Sequence, residues 1–183
     1  MVNDTEAPAP DADPAGKDRM ILIAGQIRYL STGDRAGLRR IFLTSSRQAD
    51  GTVVKLLHRA KIQPQEYLAD FDRWRLLAHV AAMLSGTGAG QAHARDRRLG
   101  TALQAINYSE NRLLRLLTAR GDALVDQVVR MARTIAVKGK APVDLWTVFD
   151  LAGRDRETVE RARVRIAQDF YAADARSGEG DSH

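Results

Sequence analysis

Apolar residues recur every three or four positions along most of the chain, which is the spacing of helices that bury one face. In the first half this pattern predicts helices near residues 20–30, 35–46, 52–60 and 70–86, with Asp34 capping the second of them. The helix at 52–60 is predicted to stop before Pro64, because the residue that precedes a proline disfavours helix. The predicted buried stripes contain Met20, Ile23, Ala24, Ile27 and Leu30; Leu38, Ile41 and Phe42; and Trp74, Leu77, Ala81 and Leu84.

The second half repeats the helical spacing. It predicts helices near residues 97–106, 110–120, 123–139, 145–153 and 156–175, with Ser109, Asp122 and Asp144 as N-caps of the second, third and fourth. The inward stripes contain Leu99, Ala102, Leu103 and Ile106; Leu113, Leu116 and Leu117; Val125, Val128, Val129, Ala132 and Ile135; and Val159, Ala162, Ile166 and Phe170.

No strand pattern and no repeat of fixed period interrupts these helices, so the predicted fold is all-α. We expect about eight helices in one compact bundle or in two small packed helical bundles. The predicted organisation is a disordered acidic tail at 1–16, an N-terminal helical half at 17–86 and a linker loop at 87–93. The rest of the chain is predicted to form a C-terminal helical half at 94–175 and a disordered tail at 176–183.

The charge of the predicted helical body is strongly positive. The whole chain of 183 residues has a formal net charge of +5, but residues 1–16 contain four acids and no Lys or Arg. Positions 17–175 hold 27 basic and 17 acidic residues, a net charge of +10. A domain this basic suits a polyanion, and nucleic acid is the commonest polyanion in a cytoplasm.

The arginines are distributed as clusters rather than as pairs with acids. Arg112 and Arg115 lie three residues apart, on the face opposite the Leu113–Leu117 stripe, and few acids alternate with them. Guanidinium groups bind phosphate oxygens in a forked geometry, and an aromatic content of 5% favours backbone contacts over base stacking. The candidate nucleic-acid contacts are Arg35, Arg39, Arg40, Arg97, Arg98, Arg112, Arg115, Arg120, Lys138 and Lys140.

Other kinds of chemistry find little support in the residues. The chain has no cysteine, and its four histidines lack the spacing of metal ligands, so no metal or cofactor is predicted. His79 lies off the apolar face of its helix and is predicted to be a surface residue. Asp70 and Asp72 are interpreted as favourable charges at a helix start. No nucleophile, base and orienting group come together, and we predict that the protein is not an enzyme.

The same residues carry a resemblance to a known family. Residues 97–152, together with the later stretch "VRIAQDFY", resemble the small subunit (CasB family) of the type I-E CRISPR Cascade complex. The likeness lies in Leu99-Gly100-x-Ala102-Leu103, in Ser109-Glu110-x-Arg112 with its leucine pairs, in Val143-Asp144 before a tryptophan, and in Phe170-Tyr171. With "GDRAGLRRI" in the first half, it covers about residues 17–173.

The resemblance implies an all-helical, non-catalytic subunit, present in two copies, that braces the guide RNA–target DNA duplex and holds the displaced DNA strand. Its implied partners are the guide RNA, target and non-target DNA, other Cascade subunits and a second copy of itself, with no membrane and no small-molecule substrate. Arg39 and Arg40 match the family's basic pair, and Arg112 its arginine after the glutamate. The chain departs from the family pattern at two positions. Thr101 stands where members often have a basic residue, and Leu145 separates Trp146 from Asp144, whereas the family's tryptophan commonly follows the aspartate directly.

Two alternatives remain open from the residues. Residues 109–132 form two predicted helices joined by a glycine turn, as in a free-standing helix-turn-helix regulator of DNA, whose second helix would present Gln127, Arg130 and Arg133. A nuclease is the other alternative, and it would require metal-dependent cleavage.

The acidic N-terminus and the lack of a long apolar run predict a cytoplasmic protein.

Overall fold

The computed structural model describes residues 18–43, 47–86, 91–139 and 142–180, with side chains as far as Arg176. Over these ranges the chain is all-α, as predicted, and contains no strand beyond one isolated parallel bridge between His93 and Val143. The helices are α1 Arg19–Ile27, α2 Thr32–Arg40, α3 Asp50–Arg59, α4 Pro64–Leu68, α5 Phe71–Leu84, α6 Leu99–Gln104, α7 Glu110–Thr118, α8 Gly121–Lys138, α9 Leu145–Leu151 and α10 Arg156–Gly180.

The helix at Pro64 is absent from the sequence-based prediction, which treated this proline only as a stop. Pro64 instead begins α4, where its missing N–H costs nothing because the first helical turn leaves that donor unpaired. The side chain of Glu66 accepts a hydrogen bond from the backbone N–H of Gln63 at 3.0 Å. Helix α3 itself ends earlier, at Arg59, and Lys61 follows it with a positive φ of 61°.

Two predicted N-caps are wrong by a few residues. Ser31, rather than Asp34, caps α2, and its hydroxyl accepts from the backbone N–H of Asp34 at 3.0 Å. The Asp34 carboxylate instead reaches Lys55 on α3 at 3.1 Å and so ties α2 to α3. Likewise α8 begins at Gly121 after Arg120 as the cap, and Asp122 lies within its first turn. Asp144 does cap α9 as predicted, by accepting from the N–H of Trp146 at 3.1 Å.

Helix α5 lies at the centre of the fold. Its residues from Trp74 to Ala82 are all buried, and it packs against α1, α2, α8 and α9. One continuous apolar core therefore joins the two predicted halves of the chain. The end of the predicted linker belongs to this core as well, because Ala92 and His93 are buried. At the other end, α10 continues to Gly180, so residues 176–180 of the predicted C-terminal tail are helical.

His79 is not a surface residue, as the sequence analysis predicted, but is fully buried in α5. Its Nδ1–H donates to the carbonyl of Leu38 at 2.9 Å, and its ring packs edge-on against Phe42 at 5.3 Å between centroids. Burial lowers the pKa of His79, and the charge of Arg133 lowers it further, against the opposing hydrogen bond to Leu38. The neutral imidazole therefore links α5 to the C-terminal end of α2.

Helix α6 lies unusually close to α10 at Gly100. A Cβ atom on Gly100 would stand 2.7 Å from the backbone nitrogen of Phe170 and 2.8 Å from Cβ of Asp169, and closer still to the carbonyl oxygen of Ile166. The glycine of the Leu-Gly-x-Ala-Leu element is thus required by backbone contact between the two helices.

A polar hub at Asp18 joins the beginning of α1 to the beginning of α9. The Asp18 carboxylate accepts hydrogen bonds from the N–H of Met20 at 2.8 Å and from Trp146 Nε1 at 3.0 Å. It also accepts from His93 Nε2 at 3.1 Å and from Arg95 Nε at 2.5 Å. His93 Nδ1 in turn accepts from the backbone N–H of Leu145 at 3.0 Å, which fixes the tautomer as Nε2–H.

This hub predicts a measurable dependence of stability on pH. Burial by itself would raise the pKa of Asp18, but the hydrogen bonds from Arg95, His93, Met20 and Trp146 outweigh it and hold the pKa at about 2, below the ordinary 3.8. A carboxylate whose pKa is depressed on folding stabilises the protein above pH 3.8, and that contribution is lost as the pH falls towards 2. The shift corresponds to about 2 kcal/mol at neutral pH.

We therefore expect Asp18→Asn to lower the free energy of unfolding by about 2 kcal/mol at pH 7. The gap between the variant and the wild type should narrow as the pH falls below 4, as measured by urea unfolding at a series of pH values. Asp126→Asn, at an exposed position on α8, provides the control. A gap of constant size across the acid range would show that Asp18 acts through packing rather than through its charge.

Candidate nucleic-acid interface

A cleft between α7 and α8 collects four arginines. Arg112 and Arg115 extend from α7, opposite the buried Leu113 and Leu116, and Arg130 and Arg133 extend from α8 with the same three-residue spacing. The cleft has a volume of about 270 Å³. We call this set the arginine cleft; its lining is Tyr108, Arg112, Arg115, Gln127, Arg130, Arg133 and Thr134.

Among the residues that the structure describes, no carboxylate lines the arginine cleft, and none of the four guanidinium groups pairs with an acid. Tyr108 at its edge is 4% exposed. Burial raises the pKa of Tyr108, and the positive charge of Arg112 opposes that rise. As far as the described residues extend, the cleft therefore presents guanidinium donors without a counter-ion, an arrangement that suits phosphate oxygens.

Helix α7 is fixed at both ends by α10, which positions the arginine cleft. At its start, the Tyr171 hydroxyl donates to Glu110 at 2.6 Å. At its end, Arg163 of α10 donates to the carbonyl of Ala119 at 2.9 Å and to Glu160 at 2.6 Å. Arg112 and Arg115 consequently extend from a helix that is held at both ends.

Arg120, a predicted contact, lies at the end of α7 and already has several partners. One of its guanidinium nitrogens donates to the carbonyls of Thr118 at 2.8 Å and Ala119 at 2.9 Å, and the other donates to Glu160 at 3.1 Å. The side chain satisfies carbonyls that the last helical turn leaves unpaired. Its role in nucleic-acid binding stays a prediction.

The predicted arginines of α2 differ in what they contact. Arg39 Nε donates to the carbonyl of Ala82 at 2.9 Å and Nη2 to that of Gly86 at 2.5 Å, so Arg39 fastens α2 to the end of α5. Arg40 is exposed, and its Nε reaches only the carbonyl of Ala36 at 3.3 Å. Arg35 is half-buried, with no side-chain partner within the described ranges. Of the three, Arg40 is the most accessible to a ligand.

The predicted pair at the start of α6 borders a second, larger groove of about 620 Å³ between α6 and α10. Arg98 donates to Asp169 at 2.8 Å, and this hydrogen bond raises the pKa of Arg98. Arg97 is exposed on the same rim, and Thr101 lies in the lining. Because two aspartates share this lining, the groove is less positive than the arginine cleft.

Lys138 is exposed at the end of α8, and Lys140 lies outside the described residues.

The structure therefore brings Arg112 and Arg115 together and adds Arg130 and Arg133, which are not among the predicted contacts. Their three-residue spacing on α8 matches that of Arg112 and Arg115 on α7, and this was the available signal in the sequence. That signal was assigned only to the helix-turn-helix alternative.

Among the described residues, no group of three His, Asp or Glu side chains is arranged to hold a metal ion. None of the described helices combines the length and apolar composition needed to cross a membrane.

Comparison with protein families matches residues 34–171 to the family described as CRISPR-associated protein Cse2. The chain belongs to the Cse2 family. This is the CasB family of the type I-E Cascade complex, so the resemblance found in the sequence is confirmed. As a Cse2 protein, the chain is a Cascade subunit in CRISPR defence and associates with other Cascade subunits. Comparison with curated proteins and with solved structures gave no significant match.

Proposed function

We propose that this Cse2 protein is a non-catalytic, nucleic-acid-binding subunit of a type I-E Cascade complex in the cytoplasm. It braces the guide RNA–target DNA duplex and the displaced DNA strand, next to other Cascade subunits and a second copy of itself. The observation that supports the binding role most directly is the arginine cleft, whose described lining holds four guanidinium groups and no carboxylate. Such a cleft binds phosphates, which position a strand without reading its sequence.

The helix-turn-helix alternative fits the geometry of α8 poorly. A recognition helix has to present its outer side chains to base edges in the major groove. Gln127, Arg130 and Arg133 instead line a cleft that they share with arginines of α7. Their placement favours contact with a phosphate backbone over direct reading of bases.

Co-purification tests this proposal. When the chain carries an affinity tag and is produced with the other Cascade subunits and a guide RNA, it should be recovered in a large assembly that contains the RNA. Recovery of the chain alone, without RNA, from cells that contain all these components would contradict it. The non-catalytic part is tested separately, since reproducible Mg²⁺-dependent nicking of DNA by the highly purified protein would overturn it.

A further inference from the structure

A second cavity adjoins the arginine cleft at Tyr108. It has a volume of about 280 Å³, and its lining comes from the end of α6, the turn that follows, the start of α7, and α10. Tyr108 lines both cavities, and on α7 Glu110 of the second cavity stands two residues before Arg112 of the cleft. We call this cavity the tyrosine pocket, after Tyr108 and Tyr171 in its lining. A ligand held in the cleft therefore has the pocket as its neighbour.

The Tyr108 hydroxyl is an unused hydrogen-bond donor between the two cavities. Tyr108 is only 4% exposed, yet among the described residues its hydroxyl has no hydrogen-bond partner, and the oxygen is not fully enclosed. Burial raises the pKa of Tyr108 against the opposing charge of Arg112, so the hydroxyl keeps its proton at neutral pH. Buried polar groups in proteins nearly always have a partner. The missing partner of Tyr108 points to a ligand.

The lining of the tyrosine pocket suits a nucleobase. Gln104 and Asn107 supply amides, and Glu110 and Asp174 supply carboxylates. Amides and carboxylates accept hydrogen bonds from the exocyclic amino groups of adenine and cytosine, whereas thymine has no amino group. The exposed Tyr171 adds a ring on which a base can stack. The volume is just below the range of about 300–1,000 Å³ that holds whole small molecules, so a single base is an appropriate size.

The two carboxylates of the pocket remain able to accept hydrogen bonds. The Tyr171 hydroxyl donates to Oε1 of Glu110 at 2.6 Å, which raises the pKa of Tyr171 and leaves the second oxygen of Glu110 as an acceptor. Asp174 lies one turn further along α10. Within the described ranges, neither carboxylate forms an ion pair. Because both carboxylates repel phosphate, the pocket suits the base of a nucleotide whose phosphate lies in the arginine cleft.

We propose that the tyrosine pocket binds one unpaired, amino-bearing base of the strand whose phosphates lie in the arginine cleft, and that the Tyr108 hydroxyl donates to a sugar or phosphate oxygen of that nucleotide. The cleft then positions the strand, and the pocket adds a preference for amino-bearing bases over thymine at one position. Because extruding a paired base from a duplex costs free energy, the strand is single-stranded here. This inference rests on the proposed nucleic-acid function.

A basic side chain of a protein partner is the other ligand that two carboxylates attract. The four guanidinium groups of the adjoining cleft repel such a side chain, whereas they attract the phosphates of a nucleotide. The two ligands give different results for Glu110→Gln/Asp174→Asn. If this variant assembles poorly with the other Cascade subunits and keeps the base preference of the wild type, the pocket binds protein and the proposal is overturned.

Base preference is measured by fluorescence anisotropy with two labelled single strands of equal length, oligodeoxycytidine and oligothymidine. The wild type should bind oligodeoxycytidine at least about fivefold more tightly, as expected for one amino contact. Glu110→Gln/Asp174→Asn should bring the two affinities to about the same value, because amides donate as well as accept. Asp122→Asn/Glu157→Gln, at exposed positions outside the pocket lining, makes the same change of charge and should keep the wild-type preference. A preference that survives in the pocket variant would overturn the proposal.

Tyr108→Phe distinguishes a ligand-binding hydroxyl from a structural one. The variant keeps the buried ring and should bind both oligonucleotides about three- to tenfold more weakly, the effect of one lost hydrogen bond. Its unfolding midpoint should not fall, because no described residue loses a hydrogen bond. Tyr29→Phe, at a tyrosine that is 72% exposed and outside the pocket lining, should change neither quantity. Unchanged affinity with a lowered midpoint would show that the hydroxyl is bonded within the protein, and would overturn its role.

Salt dependence separates this inference from the proposed function. Tyr108→Phe removes no charge and should leave the slope of log affinity against log salt concentration unchanged, whereas Arg112→Ala/Arg115→Ala should lower it. Salt-dependent binding by a wild type with no preference between the two oligonucleotides would support the nucleic-acid role and overturn the base pocket. A wild type that binds neither oligonucleotide would contradict the nucleic-acid role, and this inference with it.

Discussion

Replacing Gly100 with valine will destabilise the protein severely, by on the order of 3–5 kcal/mol, because an overpacked contact against backbone cannot relax by rotating a side chain. Any Cβ at this position would overlap the carbonyl oxygen of Ile166 and crowd the backbone nitrogen of Phe170. Helix α6 would have to move away from α10 and would expose Leu99 and Leu103, both buried now. The measurement is chemical unfolding followed by circular dichroism, with partial aggregation expected during expression.

Gly25→Ala is the matched control for Gly100→Val. Gly25 also lies within a helix, α1, but a Cβ there would have nothing within 4 Å. Alanine should leave stability unchanged or raise it by about 0.5–1 kcal/mol, since glycine is the poorer helix former. A Gly100→Val protein that is as stable as Gly25→Ala would show that α6 does not lie against α10 in this way.

The helical segments could be predicted from the sequence because each depends on local spacing. Stripes such as Met20–Ile27 reveal a buried face without knowledge of what covers it. The environment of Asp18 could not be predicted, since its partners His93 and Trp146 lie 75 and 128 positions away. The prediction that His79 lies at the surface was wrong for a related reason. Helix α5 is buried on nearly every side, so lying off the apolar stripe did not place the residue at the surface.

The candidate site was predicted only in part. Arg112 and Arg115 stood out because they share a helix face without acids. Arg130 and Arg133 join them only once α8 packs against α7, which no local pattern specifies. Conversely, Arg39 and Arg120 looked equally available in the sequence. Apart from Glu160, which also pairs with Arg120, their partners are backbone carbonyls at helix ends, and carbonyls leave no trace in a residue pattern.

The arginine cleft should account for much of the salt dependence of nucleic-acid binding. Each phosphate of a single strand that is neutralised contributes about −0.7 to the slope of log affinity against log salt concentration. Arg112→Ala/Arg115→Ala/Arg130→Ala/Arg133→Ala should therefore make the slope shallower by roughly 3 units and weaken binding at low salt by on the order of 10²-fold or more. All four side chains belong to exposed or surface positions, so circular dichroism and the unfolding midpoint should change little.

Arg161→Ala/Arg165→Ala on α10 is the control that distinguishes a built site from general positive charge. Arg161 lies 3.9 Å from Glu157, and both arginines are exposed, so this pair offers charge without the convergence seen in the cleft. We compare it with Arg112→Ala/Arg115→Ala, which also removes two charges and should lower the slope by roughly 1.4 units, from about 0.7 per contact. Sequence preference should not change in either variant, because phosphate contacts position a strand without specifying it. Equal losses of affinity from the two pairs would mean that the protein binds through its overall charge, and the cleft between α7 and α8 would then have no special role.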